Sequence, residues 1–176
     1  INTHHHFYQT LTRSTPSALN KALFPWLKSL YPIWSKLTPE DIKISTKLSI
    51  AELLLSGCTT TSDHHYVFPE GLEDALAIQY EEIVDSGIRA TITRGSMCLG
   101  EEDGGLPPQT VIQSEDEIIR SSESAITKFH DASPGAMVQV ALAPCSPFSV
   151  TEEIMLGIAD LAKKSGVRTH THLALS

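Results

Sequence analysis

Ser86-Gly87-Ile88-Arg89-Ala90-Thr91-Ile92-Thr93-Arg94 joins a helical pattern to a strand pattern through a single glycine. An amphipathic stretch comes before Ser86, and a run rich in β-branched residues comes after Gly87. Glycine ends helices readily because it adopts the left-handed backbone conformation at little cost. The stretch therefore predicts a helix that ends at Ser86 and a strand over residues 89–94.

The same turn recurs at Ser56-Gly57-Cys58-Thr59 and at Ser165-Gly166-Val167-Arg168. Thr38-Pro39-Glu40-Asp41 has the residues of a helix N-terminus, so we expect a helix from there to Leu55. Further helices are predicted over residues 72–86, 114–129 and 151–165, and strands over residues 1–6, 58–63, 89–94, 138–143 and 167–172. Alternating strands and helices with short connections predict an α/β fold with a parallel sheet, either open and doubly wound or closed into a barrel.

The composition is that of a globular protein, with 176 residues, 41% hydrophobic and 19% charged. The net charge of −8 and the absence of a Lys/Arg cluster argue against a nucleic-acid partner and favour a small-molecule substrate. No apolar run is long enough for a membrane span, and three cysteines without metal-site spacing favour the reducing cytoplasm. The chain begins with Ile1 inside an apparent strand, so we expect a piece of a longer polypeptide.

Two alternating histidine pairs stand near the two ends of the chain. His4 and His6 share one face of the first predicted strand, and His170 and His172 share one face of the last. Imidazole is the commonest protein ligand for zinc and also suits iron. We therefore expect a metal site, although a tag remnant or ordinary half-buried strand histidines are the simpler alternatives.

In parallel sheets the loops after the carboxyl ends of the strands carry the chemistry. Residues 4–9, 63–65, 94–97, 144–147 and His172 fall at such ends. Trp26 and Trp34 lie after the first strand, where they either cover a planar ligand or only pack against a helix. The glycine-rich segment 98–109 has no lysine, so it is expected to be a flexible surface loop or a subunit contact and not a phosphate-binding loop.

Several motifs resemble the amidohydrolase superfamily, specifically its branch of cytosine, guanine and triazine deaminase-like enzymes. His4-His5-His6 is similar to the H-x-H of its first strand, and His172-Leu173-Ala174 to the H-L-A-E of its fifth. The segments most similar to the bacterial 8-oxoguanine deaminases within that branch are residues 4–13, 30–34, 94–97, 103–108 and 143–149. The resemblance covers nearly the whole chain.

The resemblance implies a (β/α)8 TIM-like barrel of the metal-dependent hydrolase type, of which residues 1–176 supply about strands 1–5. Strands 6–8 and a small flanking β-sandwich are absent from this sequence. It also implies one divalent metal, zinc most often and iron as the alternative, held by His4, His6 and His172. The remaining ligands, a histidine after strand six and an aspartate after strand eight, lie outside the sequence.

For substrate binding the resemblance points to Gln9, which stands at the spacing of H-x-H-x-x-Q, and to Cys145 as a residue that lines the pocket and is no nucleophile. Trp26, Arg94 and His64 are further candidates, and Phe7 and Tyr8 are expected to add apolar walls. Arg94 has a simpler interpretation, because an arginine at a strand end often pairs with an acidic residue of a loop.

One position departs from the family pattern. Members have a glutamate three residues after the fifth-strand histidine as the general acid and base, and this chain has Leu175. A leucine cannot transfer a proton, so its presence in a full-length enzyme would remove a contribution of about 10²–10⁴-fold. We therefore expect that the last two residues are not the native continuation.

The expected reaction is hydrolytic deamination of 8-oxoguanine to urate and ammonia by metal-activated water. A related amidohydrolase acting on a triazine, cytosine or guanine ring is the first alternative. A catalytically impaired metal-binding scaffold is an alternative of another class. The expected protein is a cytoplasmic homo-oligomer that binds neither nucleic acid nor membranes.

Overall fold

The structure, a computed structural model, describes residues 1–173. Its strands are Asn2–His5 (β1), Thr60–Asp63 (β2), Arg89–Ser96 (β3), Val138–Pro144 (β4) and Arg168–Thr169 (β5). Its α-helices are Leu23–Trp34 (α1), Pro39–Leu55 (α2), Ala75–Ser86 (α3), Glu115–Phe129 (α4) and Glu152–Ser165 (α5). The strands and the helices α2 to α5 follow the predicted order along the chain.

The five strands form one parallel sheet in the order β1-β2-β3-β4-β5. Each strand pairs with the next one along the sequence, as in a barrel wall and unlike an open doubly wound sheet, where the strand order reverses. The prediction of an α/β half-barrel is confirmed. All five carboxyl ends meet at one edge, because the strands are parallel.

The predicted turns are present. Gly87 has φ of 71° and Gly166 has φ of 70°, and each accommodates the left-handed end of a helix. At the start of α2, the Thr38 hydroxyl accepts a hydrogen bond from the Asp41 backbone N–H, and the Asp41 carboxylate accepts one from the Thr38 N–H. This reciprocal cap explains why α2 begins where the sequence predicts.

Helix α1 is the main element that the sequence did not predict. It lies within the long connection after β1 and contains Pro32, which would normally weaken a helix. Its apolar side packs into the core through Leu30, Tyr31 and Trp34, which are all buried. Tertiary packing therefore outweighs the unfavourable helix propensity of the proline.

Strand β5 is shorter than predicted and ends at Thr169, so His170 and His172 follow the strand instead of lying in it. Backbone hydrogen bonds still hold them beside β4, from His170 N–H to the Leu142 carbonyl (3.0 Å) and from His172 N–H to the Cys145 carbonyl (3.1 Å). Among residues 1–173, no helix has the length and apolarity needed to cross a membrane.

Candidate metal centre and adjoining cavity

Three imidazole rings from the two ends of the chain converge at the carboxyl edge of the sheet. The Nε2 atoms of His4 and His6 lie 3.1 Å apart, and the Nε2 atom of His172 lies 3.3 Å from each of them. Tetrahedral zinc with bonds of 2.0–2.1 Å to nitrogen needs ligand atoms separated by about 3.3–3.4 Å. The triangle therefore has the dimensions of three zinc ligands.

Hydrogen bonds at the far side of two rings decide which nitrogens carry protons. His6 Nδ1 donates to the backbone carbonyl oxygen of His64 (2.6 Å), and His172 Nδ1 donates to that of Cys145 (2.9 Å). A neutral imidazole has one N–H, so the Nε2 atoms of both rings present lone pairs. Burial lowers the pKa of His6 to about 3, which keeps that ring neutral.

Two lone pairs at 3.3 Å repel each other unless a proton or a cation lies between them. Outer hydrogen bonds of this kind are also the usual support of histidine metal ligands. The donor set, its spacing and its protonation therefore fit a divalent cation of the zinc type.

The local backbone explains how β1 delivers these rings. The Phe7 N–H, directly after His6, donates to the buried carboxylate of Asp63 at the end of β2 (2.6 Å), and Gln79 Nε2 donates to the other oxygen (2.6 Å). Burial raises the pKa of Asp63 to about 7. Asp63 thus anchors the chain at the end of β1.

His64 belongs to this cluster and does not line the cavity beside it. Its ring stacks on those of His6 (5.3 Å) and His172 (4.5 Å), and its ligand atoms lie within 4.8 Å of those of the three converging histidines. The ring is fully buried, and neither nitrogen has a partner among the described residues. His64 therefore packs against the converging histidines, whereas the sequence analysis expected it to contact the substrate.

A cavity of about 250 Å³ opens next to the triangle. His6 and His172 form part of its wall together with Gln9, Trp26 and Cys145, three of the predicted substrate-binding residues. Residues that were not among the predicted substrate contacts complete the wall: Leu23, Phe24, Leu27, Tyr31, Tyr66, Leu106, Pro107, Ser146, Phe148 and Ser149. The lining is mostly apolar with a few polar groups, as is usual for a small-molecule site.

Arg94 lies away from this cavity. Its guanidinium is buried over the Phe68 ring (4.0 Å from the centroid), donates to Gln113 Oε1 (2.6 Å) and contacts the Gly95 carbonyl. Gln113 in turn donates to Glu117 (2.6 Å). The simpler interpretation expected a direct pair with an acidic residue of a loop. Arg94 instead bonds to Gln113, and the acidic group nearest in this series, Glu117, belongs to helix α4 and contacts Gln113.

Phe7 and Tyr8 are fully buried in the core and are not part of the cavity wall. The same holds for Trp34, whose Nε1 donates to the Thr12 hydroxyl (3.1 Å), so its packing role is the one the structure supports. The expected glutamate position, Leu175, lies outside the described residues.

The glycine-rich segment 98–109, which the sequence predicts to be a flexible surface loop or a subunit contact, also borders the cavity. Leu106 and Pro107 form one wall of the cavity. The loop folds on itself through bonds from the Glu101 N–H to the Pro107 carbonyl (3.0 Å) and from the Gly105 N–H to the Gly100 carbonyl (2.8 Å). A Cβ at Gly105 would lie 2.2 Å from the Leu99 carbonyl oxygen, which explains the glycine there.

The model of the amidohydrolase family matches residues 1–176. An 8-oxoguanine deaminase of Pseudomonas aeruginosa is 58% identical over 174 residues, which are 99% of this chain and 39% of that protein. A hydroxydechloroatrazine ethylaminohydrolase of Pseudomonas sp. is 34% identical over 98% of this chain and 37% of its own length.

Among solved structures, an atrazine chlorohydrolase from Arthrobacter aurescens complexed with zinc superimposes with a TM-score of 0.93 at 28% identity. The match covers 98% of this chain and 40% of that one. The chain thus spans about 40% of the length of the proteins that it matches.

Proposed function

The chain belongs to the amidohydrolase family, and we propose that it takes part in the metal-dependent hydrolytic deamination of 8-oxoguanine. The substrate is proposed from the named relative that shares 58% of its residues across nearly the whole chain. Water replaces the amino group at C2 of the base, so the products are urate and ammonia. The observation that carries the proposal is the triangle of Nε2 atoms beside a cavity for a small molecule.

His4, His6 and His172 are the proposed ligands of one divalent cation, zinc in preference to iron. When bound, such a cation supplies hydroxide at neutral pH by lowering the pKa of water. The chain's own contribution is to hold three neutral imidazoles at ligand spacing and to keep their Nδ1 atoms engaged elsewhere. The zinc complex of the Arthrobacter neighbour supports this choice of metal.

Gln9, Cys145 and Trp26 are the proposed substrate contacts. The Gln9 amide offers both a donor and an acceptor to the edge of a purine, and Trp26 offers a flat apolar face. Burial raises the pKa of the Cys145 thiol to about 12, so this group stays protonated and acts as a wall or weak donor. A cavity of about 250 Å³ suits a single heterocycle better than a drug-sized molecule.

The remaining parts of the site are one more histidine, one aspartate, and a general acid and base. We propose that strands 6–8 of the barrel, outside this sequence, carry the histidine and the aspartate. The general acid and base, a glutamate, would follow the fifth strand at the position where this sequence has Leu175. Residues 1–176 would then be the first part of one barrel domain with a small flanking β-sandwich. The two open edges of the half-barrel, β1 and β5, support this arrangement because unpaired strand edges are unfavourable.

The test is an assay of protein expressed from the complete reading frame and loaded with zinc. Urate and ammonia should form from 8-oxoguanine in equal amounts, and His172→Ala should abolish both. His5→Gln is the matched control, because His5 stands between two proposed ligands while its own ring packs against Phe7 (5.2 Å). If zinc-loaded protein leaves 8-oxoguanine unchanged, the proposal that 8-oxoguanine is the substrate is overturned.

The alternatives are distinguished by the same protein. Turnover of triazines, cytosine or guanine without urate formation would indicate a related amidohydrolase, as the similarity to the ethylaminohydrolase allows. Zinc binding without release of ammonia from any of these rings would indicate a scaffold.

A cytoplasmic location and a homo-oligomeric state complete the proposal. The location is supported by the cysteines, Cys58, Cys98 and Cys145, which are all free thiols. Light scattering of the purified protein tests the oligomeric state, and a monomeric mass would overturn it.

A further inference from the structure

The third ring of the triangle, His4, has an outer partner unlike those of His6 and His172. Its Nδ1 lies 2.7 Å from Nε2 of His170, and the two ring centroids are 4.9 Å apart. His6 and His172 have backbone carbonyl oxygens at the corresponding place. A backbone carbonyl only accepts hydrogen bonds, whereas a histidine nitrogen either donates or accepts.

We propose that His170 is a positioning residue of the metal site, which accepts a hydrogen bond from His4 Nδ1 and so turns the lone pair of His4 Nε2 toward the cation. The proposal rests on the metal site of the proposed function but not on its substrate.

Metal binding requires one of the two possible directions of this hydrogen bond and is incompatible with the other. If His170 Nε2 accepts, the proton of His4 is on Nδ1 and its Nε2 is free to bind a metal. If His170 Nε2 donates, the proton of neutral His4 is on Nε2, where it points toward the Nε2 atoms of His6 (3.1 Å) and His172 (3.3 Å). A cation can bind to three imidazoles only with the first arrangement.

The surroundings of His170 hold its ring in place for this role. Its backbone N–H donates to the Leu142 carbonyl of β4 (3.0 Å). The fully buried ring of His64 packs against it with centroids 4.7 Å apart. His64 in turn stacks on His172. The segments that position the ligands therefore also hold His170 in place. Through its hydrogen bond, His170 in turn orients His4, the most exposed of the three ligands.

Two substitutions separate the hydrogen bond from the packing of the ring. His170→Phe keeps an aromatic ring and removes the acceptor, whereas His170→Gln removes the ring and keeps an acceptor at the end of a side chain of similar reach. His5→Gln is the control for a histidine of the same region outside the cluster. All are made in the complete reading frame, and thermal melts of the metal-free proteins verify that they fold.

The measurement is the zinc dissociation constant by competition with a chromophoric chelator, accompanied by the visible spectrum of the Co²⁺ form. We expect His170→Phe to weaken zinc binding about 10–100-fold and to change the Co²⁺ spectrum. His170→Gln should recover most of the affinity, and His5→Gln should match the unaltered protein.

Three results would overturn the proposal. They are zinc affinity of His170→Phe within about twofold of the unaltered protein, a loss in His170→Gln as large as that in His170→Phe, and unaltered protein that binds no divalent cation. If His170→Phe does not fold, the comparison of His170→Gln with His170→Ala decides in the same way. If the protein binds zinc but forms no urate, the result would contradict only the proposed substrate. The proposed role of His170 would stand.

Discussion

His6 Nδ1 donates a hydrogen bond of 2.6 Å to the backbone carbonyl oxygen of His64. This bond connects the end of β1 to the segment after β2 and leaves His6 Nε2 as an acceptor. A second hydrogen bond joins the same two segments, since the His64 N–H donates to the carbonyl oxygen of His5, the residue before His6 (2.7 Å). Ring orientation and strand pairing are therefore fixed together at this point.

The first prediction concerns the ligands themselves. His6→Ala or His172→Ala should lower zinc affinity by more than the roughly 10–100-fold typical of the loss of an outer partner, because each removes a proposed coordinating nitrogen itself. Equilibrium dialysis with metal analysis measures the loss. His130→Ala, at the opposite end of the sheet beside Val140, should keep its zinc. Equal zinc content in all of these proteins would contradict the ligand assignment.

Fluorescence should distinguish the two tryptophans. Trp26 lines the cavity, whereas Trp34 is fully buried and bonded to Thr12. A bound purine should quench the emission of the Trp34→Phe protein about as much as that of the unaltered protein, and should change that of Trp26→Phe little. Quenching that persists in Trp26→Phe and disappears in Trp34→Phe would place the ligand elsewhere.

Replacing the buried indole should be costly for folding. Trp34→Ala removes a fully buried ring and the partner of the Thr12 hydroxyl, so the free energy of unfolding should fall by about 3–5 kcal/mol. Trp26→Ala, at a half-buried position, should cost clearly less. Urea denaturation measures both, and equal losses would mean that the two positions are packed alike.

A further prediction concerns Asp63 and pH. Burial raises its pKa to about 7, so between about pH 4 and pH 7 the folded protein keeps a proton that the unfolded chain releases. The contribution of this group to stability is present below about pH 4 and is lost as the pH rises through 7, by up to about 4 kcal/mol. Asp63→Asn should therefore flatten the pH dependence of unfolding in this range.

Asp131 provides the control for that measurement. Its carboxylate is exposed, and hydrogen bonding by the Ser133 side chain, together with the Ser133 backbone N–H (2.8 Å), lowers its pKa. Asp131→Asn should leave the profile between pH 4 and pH 7 nearly unchanged. Parallel profiles of unaltered protein and Asp63→Asn would show that Asp63 ionises normally.

The cysteines should differ in reactivity toward iodoacetamide at pH 8. Burial raises the pKa of Cys145 to about 12, so its thiolate is scarce. Cys98 is only partly buried and should be alkylated first, as peptide mass spectrometry would show. Rapid alkylation of Cys145 would contradict its assignment as an unreactive wall residue.

Much of the fold follows from local sequence because the turns are local. Gly87 and Gly166 each end a helix one residue before the chain becomes extended, and the parallel sheet is the arrangement that such alternation allows. Helix α1 escaped prediction because Pro32 masks its pattern and its stability comes from packing against the core. Helix propensity alone does not include the stabilisation that comes from this packing.

The candidate site was predictable in part for a similar reason. Alternation along β1 places His4 and His6 together, and any parallel sheet brings strand ends to one edge. The outer role of His170 depends on a ring contact between the two ends of the chain, and the position of Arg94 depends on Phe68 and Gln113. Such contacts arise only when the sheet has curved, so no local pattern indicates them.

X-ray absorption at the zinc K edge tests the central claim most directly, because it counts the nitrogens around the bound ion and detects the outer atoms of imidazole rings. We predict at least three imidazole nitrogens at about 2.0–2.1 Å in the zinc-loaded protein and one fewer in any His172→Ala protein that retains zinc. A zinc environment without imidazole scattering, or one unchanged in His172→Ala, would contradict the account.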